Sequence, residues 1–199
     1  YEGDGSDQPD AKTAAKCVEL LQKFSAAKKP FLLAAGFVRP HYPMVAPRSF
    51  FDRYPPEKVV MPSVPENDLA DIPPLGISGS NSKKTGLAQY PENQQRMWSG
   101  YYASVTFMDQ QLGRILDELD RLGLAESTAI VFTSDHGYHL GDHTFWQKAN
   151  LHEQVIRVPL IIAAPGIKPA RSRSIVQLVD VFPTLCELTG APIPSSVEG

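Results

Sequence analysis

The chain has 199 residues, of which 42% are hydrophobic and 21% charged, with a formal net charge of −3. That length supports one domain with a substantial core. The near-neutral balance gives no electrostatic ground for a nucleic-acid or acidic-membrane partner, and no apolar run approaches the ~20 residues that span a bilayer.

Residues 1–9 are rich in Gly, Asp and Ser and read as a linker. With no initiator methionine and no signal segment, the chain reads as a fragment or a processed product. Asp10 is placed to cap a helix over 11–27, with Ala14, Val18 and Leu21 on one face. The continuous apolar run 31–37 has the pattern of a strand covered on both faces. Pro40 and Pro43 exclude regular structure around His41. A short helix is expected over 47–54. Residues 55–90 are dense in Pro, Gly, Ser and Asn. A loop that long reads either as a disordered insertion or as a lid that contacts substrate.

Residues 92–122 carry the longest helical pattern. Tyr101, Val105, Met108, Leu112, Ile115, Leu119 and Leu122 recur at steps of four and three, and Gly123 ends the run. A strand at 128–133 follows almost at once, the helix-to-strand step of α/β units. A further apolar run covers 158–164, a brief extension 174–178, and a helix 180–189 with Pro183 in its first turn. The alternation predicts an α/β fold, a mainly parallel sheet flanked by helices. Cys17 and Cys186 lie in apolar helical patterns and read as buried thiols rather than a disulfide.

The chemistry concentrates in Thr133-Ser-Asp-His-Gly-Tyr-His-Leu-Gly-Asp-His-Thr-Phe-Trp-Gln-Lys148. Asp135 and His136 sit where the 128–133 strand hands over to a loop. Ligands collect at such carboxyl ends in open α/β sheets. The carboxylate–imidazole pair is a metal-binding candidate, although an Asp here also caps turns. His136, His139 and His143 together are either a zinc-type cluster or, the preferred reading for the last two, side chains that shape the loop. Lys148 is either a solvated lysine or a point charge for an oxyanion. Phe145 and Trp146 read as packing residues. Gly137 and Gly141 allow tight turns. His41 follows the 31–37 run. In a parallel sheet it would emerge on the same edge as Asp135 and share one cleft with it.

These residues carry a resemblance. Ala103-Ser-Val-Thr-Phe-Met-Asp-Gln-Gln-Leu-Gly-Arg-Ile-Leu116, Ser127 to Gly137, Leu140-Gly-Asp-His143, Lys148, Val158-Pro-Leu-Ile161 and Val179 to Leu188 resemble, in order, the type I sulfatases. Gly36-Phe-Val-Arg-Pro-His41 and the Asp-His form of the pair are most similar to the iduronate-2-sulfatase-like members. The resemblance implies an alkaline-phosphatase-like core and removal of sulfate from a sulfated saccharide. It implies that Asp135 and His136 are metal ligands, normally to one Ca²⁺. Calcium prefers oxygen ligands; many relatives carry Asn at the His136 position, and the iduronate-type members keep His. The resemblance gives Lys148 the contact near the bridging ester oxygen, and His41 a contact to the same ester and help in protonating the leaving group. Arg39 and the Lys83–Lys84 pair are candidates to meet an acidic sugar. An extracytoplasmic site of action is implied as well.

One departure stands out. The family's nucleophile is a formylglycine made within Cys/Ser-x-Pro-x-Arg, and neither Cys17 nor Cys186 begins such a motif. The paired aspartates that complete the metal site are also absent. The expectation is that these parts, and a C-terminal part, lie in the remainder of the same protein, and that this piece alone is inactive. Two rivals remain: a metal-dependent phosphoryl hydrolase of the same superfamily, and a non-catalytic sulfatase-like binding module.

Overall fold

The computed structural model describes residues 2–77, 79, 87 and 90–199. Lys83 and Lys84, with most of 78–89, lie outside the described residues. In chain order the elements are α1 (Pro9–Ala27), α2 (Arg48–Phe51), α3 (Pro91–Arg121), β1 (Ile130–Thr133), β2 (His139–Leu140), β3 (Trp146–Gln147), α4 (Glu153–Ile156), β4 (Leu160–Ala163) and α5 (Val181–Thr189). Single 3₁₀ turns join them at Pro56–Lys58, Pro74–Gly76, Ala125–Ser127, Asp142–Thr144 and Leu178–Asp180.

α1 starts at Pro9, whose missing N–H costs nothing at that position. Asp10 therefore lies inside the first turn and does not cap the helix, contrary to expectation. Its carboxylate is buried and accepts the backbone N–H groups of Val38 (2.7 Å) and Arg39 (3.0 Å). The expected linker also differs. Gly5 is buried against Phe107 and Pro47, and Glu2 pairs with Arg48.

α1 packs on α3 through two apolar clusters. Ala11, Ala46, Phe50, Ala103 and Phe107 form one; Ala14, Cys17, Leu21, Ile115 and Leu119 form the other. The face of α3 that is most buried runs through Ala103, Phe107, Gln111 and Ile115. Tyr101, Val105, Met108 and Leu112 from the expected stripe are only half-buried beside it. Small Ala103 and Ser104 let the helices approach closely, and the larger residues flank that contact. Cys17 and Cys186 are both buried free thiols.

Glu118 ties the pair together. It accepts from Arg121 (2.7 Å) on its own helix and from Gln22 (2.8 Å) on α1. Those hydrogen bonds, Arg121 first, hold its pKa down at about 2 against 4.5 for a free glutamate. A depressed carboxyl stabilises the fold above its unfolded pKa, and that contribution is lost as pH falls through the folded one. Urea midpoints of the full-length protein should therefore drop between about pH 4.5 and about pH 2, and Glu118→Gln should flatten that slope. An unchanged slope in the variant would assign the acid sensitivity elsewhere.

Residues 31–37 are extended but join no ladder among the described residues. Phe31, Leu33 and Phe37 pack under the second cluster, while Leu32 between them is 82% exposed. The run thus buries one face here rather than two. β1 and β4 pair antiparallel, with Val131 opposite Ile162 and Phe132 opposite Ile161. The expected parallel neighbour is not supplied by these two strands: a continuous apolar run reports coverage, not direction. β2 and β3 form a second, separate hairpin, with Leu140 opposite Trp146. Apolar side chains stand open at Ile161, Ile175, Val176 and Phe182. No helix among the described residues is long and apolar enough to cross a membrane.

Candidate active site

β1 ends at Thr133, and the loop that follows is built to expose two donor atoms. Ser134 Oγ donates to the His136 carbonyl (2.9 Å), and Asp135 Oδ1 accepts the His136 N–H (3.0 Å). Gly137 then lies directly on α4. Its N–H donates to the Val155 carbonyl (2.7 Å), and a Cβ on it would meet the Gln154 carbonyl oxygen at 2.1 Å. Only glycine fits this approach. Tyr138 follows, its ring tilted 35° against Tyr101 of α3 with centroids 5.7 Å apart. Burial first, then the neighbouring Tyr101 and Tyr42 phenols, push the Tyr138 pKa up to about 12. The tip of the hairpin is tethered by Trp98, whose indole N–H donates to the Leu140 carbonyl (2.7 Å).

The hairpin brings Lys148 back to the start of the loop. Its Nζ donates to His136 Nε2 at 2.8 Å, and the same Nε2 lies 3.6 Å from Asp135 Oδ2. The other ring nitrogen, Nδ1, faces the Gly137 carbonyl at 2.8 Å and must carry the proton there. His136 is therefore the neutral tautomer whose Nε2 lone pair faces outward beside the Asp135 carboxylate. The Asp135 side chain is 85% exposed.

That pair fits a metal in part. Ligand atoms each about 2.0–2.6 Å from one ion lie roughly 3–4 Å apart when adjacent, and Asp135 Oδ2 and His136 Nε2 are 3.6 Å apart. The spot already accommodates a positive charge, the Lys148 ammonium. Among the described residues no third His, Cys, Asp or Glu joins them.

His139, His143 and His152 form a separate aromatic cluster with Phe145, ring centroids 5.2–6.5 Å apart. Their ring nitrogens meet protein groups: His139 Nε2 meets Asn150 Oδ1 (3.2 Å), His143 Nδ1 meets Asp68 (2.8 Å), and His152 Nε2 meets the Gly76 carbonyl (2.7 Å). His139 and His143, expected to bond the loop backbone, both bond side chains instead. Asp68 is thereby tied to the hairpin through His143, and Gly76 to the start of α4 through His152. Phe145 and Trp146 are fully buried, as packing residues should be. A cleft of about 720 Å³ lies between residues 71–79 and 149–152.

His41 sits in a braced turn. Its N–H donates to the Val38 carbonyl (2.9 Å), and Arg39 Nη1 donates to the His41 (3.0 Å) and Pro43 (2.8 Å) carbonyls. Arg39 is thereby committed to the turn. No hydrogen bond or ion pair joins His41 to Asp135, His136 or Lys148 among the described residues. Asp68, Trp98, Asn150 and His152 escaped the sequence reading, and Asp10 reads there only as a helix cap. Each acts on residues remote in sequence or through backbone groups, and no spacing signals that.

Backbone strain concentrates in this loop. His143, Thr144, Gln147 and Ala149 all have positive φ, at 56°, 60°, 69° and 73°. Each such non-glycine residue costs about 1–3 kcal/mol and persists only where its surroundings enforce it. Such residues cluster at functional sites, here on both sides of Lys148.

A sulfatase family model matches residues 3–191. The chain is 37% identical over 176 residues to a sulfatase of Formosa agariphila, covering 86% of this chain and 35% of that protein. It is 33% identical over 223 residues to the human iduronate 2-sulfatase, covering 94% and 40%. Among solved structures, the phosphonate monoester hydrolase of Silicibacter pomeroyi superposes with a TM-score of 0.82 at 25% identity, covering 100% of this chain and 41% of that one. The chain thus spans about 40% of the length of these relatives. The fold is the alkaline-phosphatase-like α/β core of sulfatases, represented in part, and the chain belongs to the sulfatase family.

Proposed function

We propose that this chain is part of a sulfuric ester hydrolase that removes sulfate from a sulfated saccharide, in the manner of an iduronate 2-sulfatase. The reading rests on one observation. Asp135, His136 and Lys148 converge on a single point, with contacts of 3.6 and 2.8 Å. In this reading Asp135 and His136 would hold a divalent ion, most simply one Ca²⁺, whose charge neutralises the sulfate oxygens when bound. The nucleophile, a formylglycine, and the remaining ligands would come from the rest of the protein. Lys148 stabilises negative charge on the ester as the bond to the sugar oxygen breaks. His41, when protonated, gives that oxygen its proton; a sugar alkoxide leaves poorly without one. Residues 68–76, held through Asp68 and Gly76, would border the sugar.

The test is metal content. After dialysis, the full-length protein should retain about one calcium per chain, and Asp135→Asn should retain clearly less. Unchanged content in Asp135→Asn and in His136→Ala would remove the pair from the metal site. The superposition on a phosphonate monoester hydrolase favours a second reading, a metal-dependent phosphoryl hydrolase. Two transition-metal ions per protein, with turnover of a phosphate or phosphonate ester, would select it.

A further inference from the structure

We propose that the hydrogen bond between His139 and Asn150 is the positioning device for Lys148, holding the backbone that carries its ammonium towards the Asp135–His136 pair. The proposal rests on the functional reading only for its kinetic consequence. Lys148 lies between Gln147 and Ala149, both in the left-handed region (φ 69° and 73°). Neither is glycine, so that conformation does not hold itself. What holds it on the β2 side is known atom by atom. Asn150 Oδ1 accepts the His152 N–H (3.0 Å), which fixes the amide's orientation, and the same oxygen meets His139 Nε2 (3.2 Å). Because Oδ1 can only accept, His139 carries its proton on Nε2.

His139 itself is rigid. It is fully buried in β2, edge-on to Phe145 (5.5 Å, 89°). Burial pushes its pKa down, which keeps the ring neutral. Its Nδ1 is buried with no hydrogen-bond partner among the described residues. An orphaned acceptor is costly, and an apolar ring would fill the same space without that cost. The bond from Nε2 to Asn150 is what the imidazole contributes and an apolar ring would not. The strained segment is thus pinned at residue 150, two positions after Lys148, by the buried His139 ring.

The experiment follows Lys148 directly. In the full-length protein, the rate of reductive methylation of Lys148 is measured by peptide mass spectrometry, with exposed Lys29 as internal reference. Asn150→Ala should raise the Lys148 rate several-fold relative to Lys29, and Asn150→Asp, which keeps an acceptor oxygen, should restore it. His139→Phe, similar in shape but without the donor, should reproduce Asn150→Ala and guards against a folding artefact in either variant alone. On a sulfated sugar, Asn150→Ala should lower kcat roughly 10- to 100-fold, the scale expected for about 1 Å of misplacement, with KM little changed. In a Lys148→Ala background it should add almost nothing, because the two act as one unit. Faster methylation with unchanged kcat would support the positioning bond and overturn the catalytic reading of Lys148. An unchanged methylation rate in both Asn150→Ala and His139→Phe would overturn the positioning proposal, whatever the activity.

Discussion

Replacing Lys148 with alanine in the full-length protein is expected to lower kcat on a sulfated sugar about 10²–10³-fold, the usual cost of removing one preorganised charge donor from a transition state. The melting temperature should barely move, since among the described residues the side chain makes one hydrogen bond, to His136. Arginine should recover little. An ammonium is a compact point charge, whereas a guanidinium is a planar fork that needs a wider acceptor than one imidazole nitrogen beside one carboxylate. The loss should also depend on the leaving group. A sugar alkoxide builds nearly a full charge on the departing oxygen, whereas a phenolate delocalises its charge into the ring. The deficit of Lys148→Ala should therefore shrink on an aryl sulfate. Equal deficits on both substrates would mean that Lys148 binds sulfate in the ground state and does not act on bond cleavage.

Much of this site is legible in the chain before any coordinates, and the illegible part has a definite physical origin. The helical patterns over 11–27, 92–122 and 180–189 reappear as α1, α3 and α5, because apolar repeats of three and four residues admit few other arrangements. Asp135 and His136 announce themselves by chemistry and by following an apolar run. The approach of Lys148 to His136 does not. It depends on four non-glycine residues at positive φ, for which the sequence carries no marker, and on Asp68, 75 residues from the His143 it holds. Strand direction is equally silent. β1 and β4 read as apolar runs of the same kind, and their antiparallel pairing follows from the path of the intervening hairpin and α4. Asp10 shows the commonest error. It has the residue type and place of a helix cap, yet Pro9 already opens the helix, and the carboxylate reaches across to the backbone before His41.

Gly137→Ala is expected to be the most damaging single-methyl addition in the loop. The new Cβ would stand 2.1 Å from the Gln154 carbonyl oxygen and 3.3 Å from the Val155 Cα, all backbone of α4. Ordinary contact needs more than an ångström of extra separation, and no side chain can rotate away to provide it. Either the loop lifts or α4 moves, and in both cases the 2.7 Å bond from the Gly137 N–H to the Val155 carbonyl stretches or breaks. Overpacking of this kind costs about 1–3 kcal/mol, and the lost hydrogen bond about 1 kcal/mol more. Urea unfolding of the full-length protein would read that loss directly. The functional cost should exceed the stability cost. Gly137 is bonded to His136 on one side and supplies the carbonyl that fixes its tautomer. A shift of about 1 Å here separates the Nε2 lone pair from both Asp135 and Lys148, and turnover should fall about 100-fold. Gly113 is the internal control. It lies in α3, where an added Cβ meets nothing within 4 Å, and alanine there should be neutral or slightly stabilising through its better helix propensity. Equal effects at positions 113 and 137 would show that the contact between the loop and α4 carries no special weight, and the placement of His136 would then need another cause.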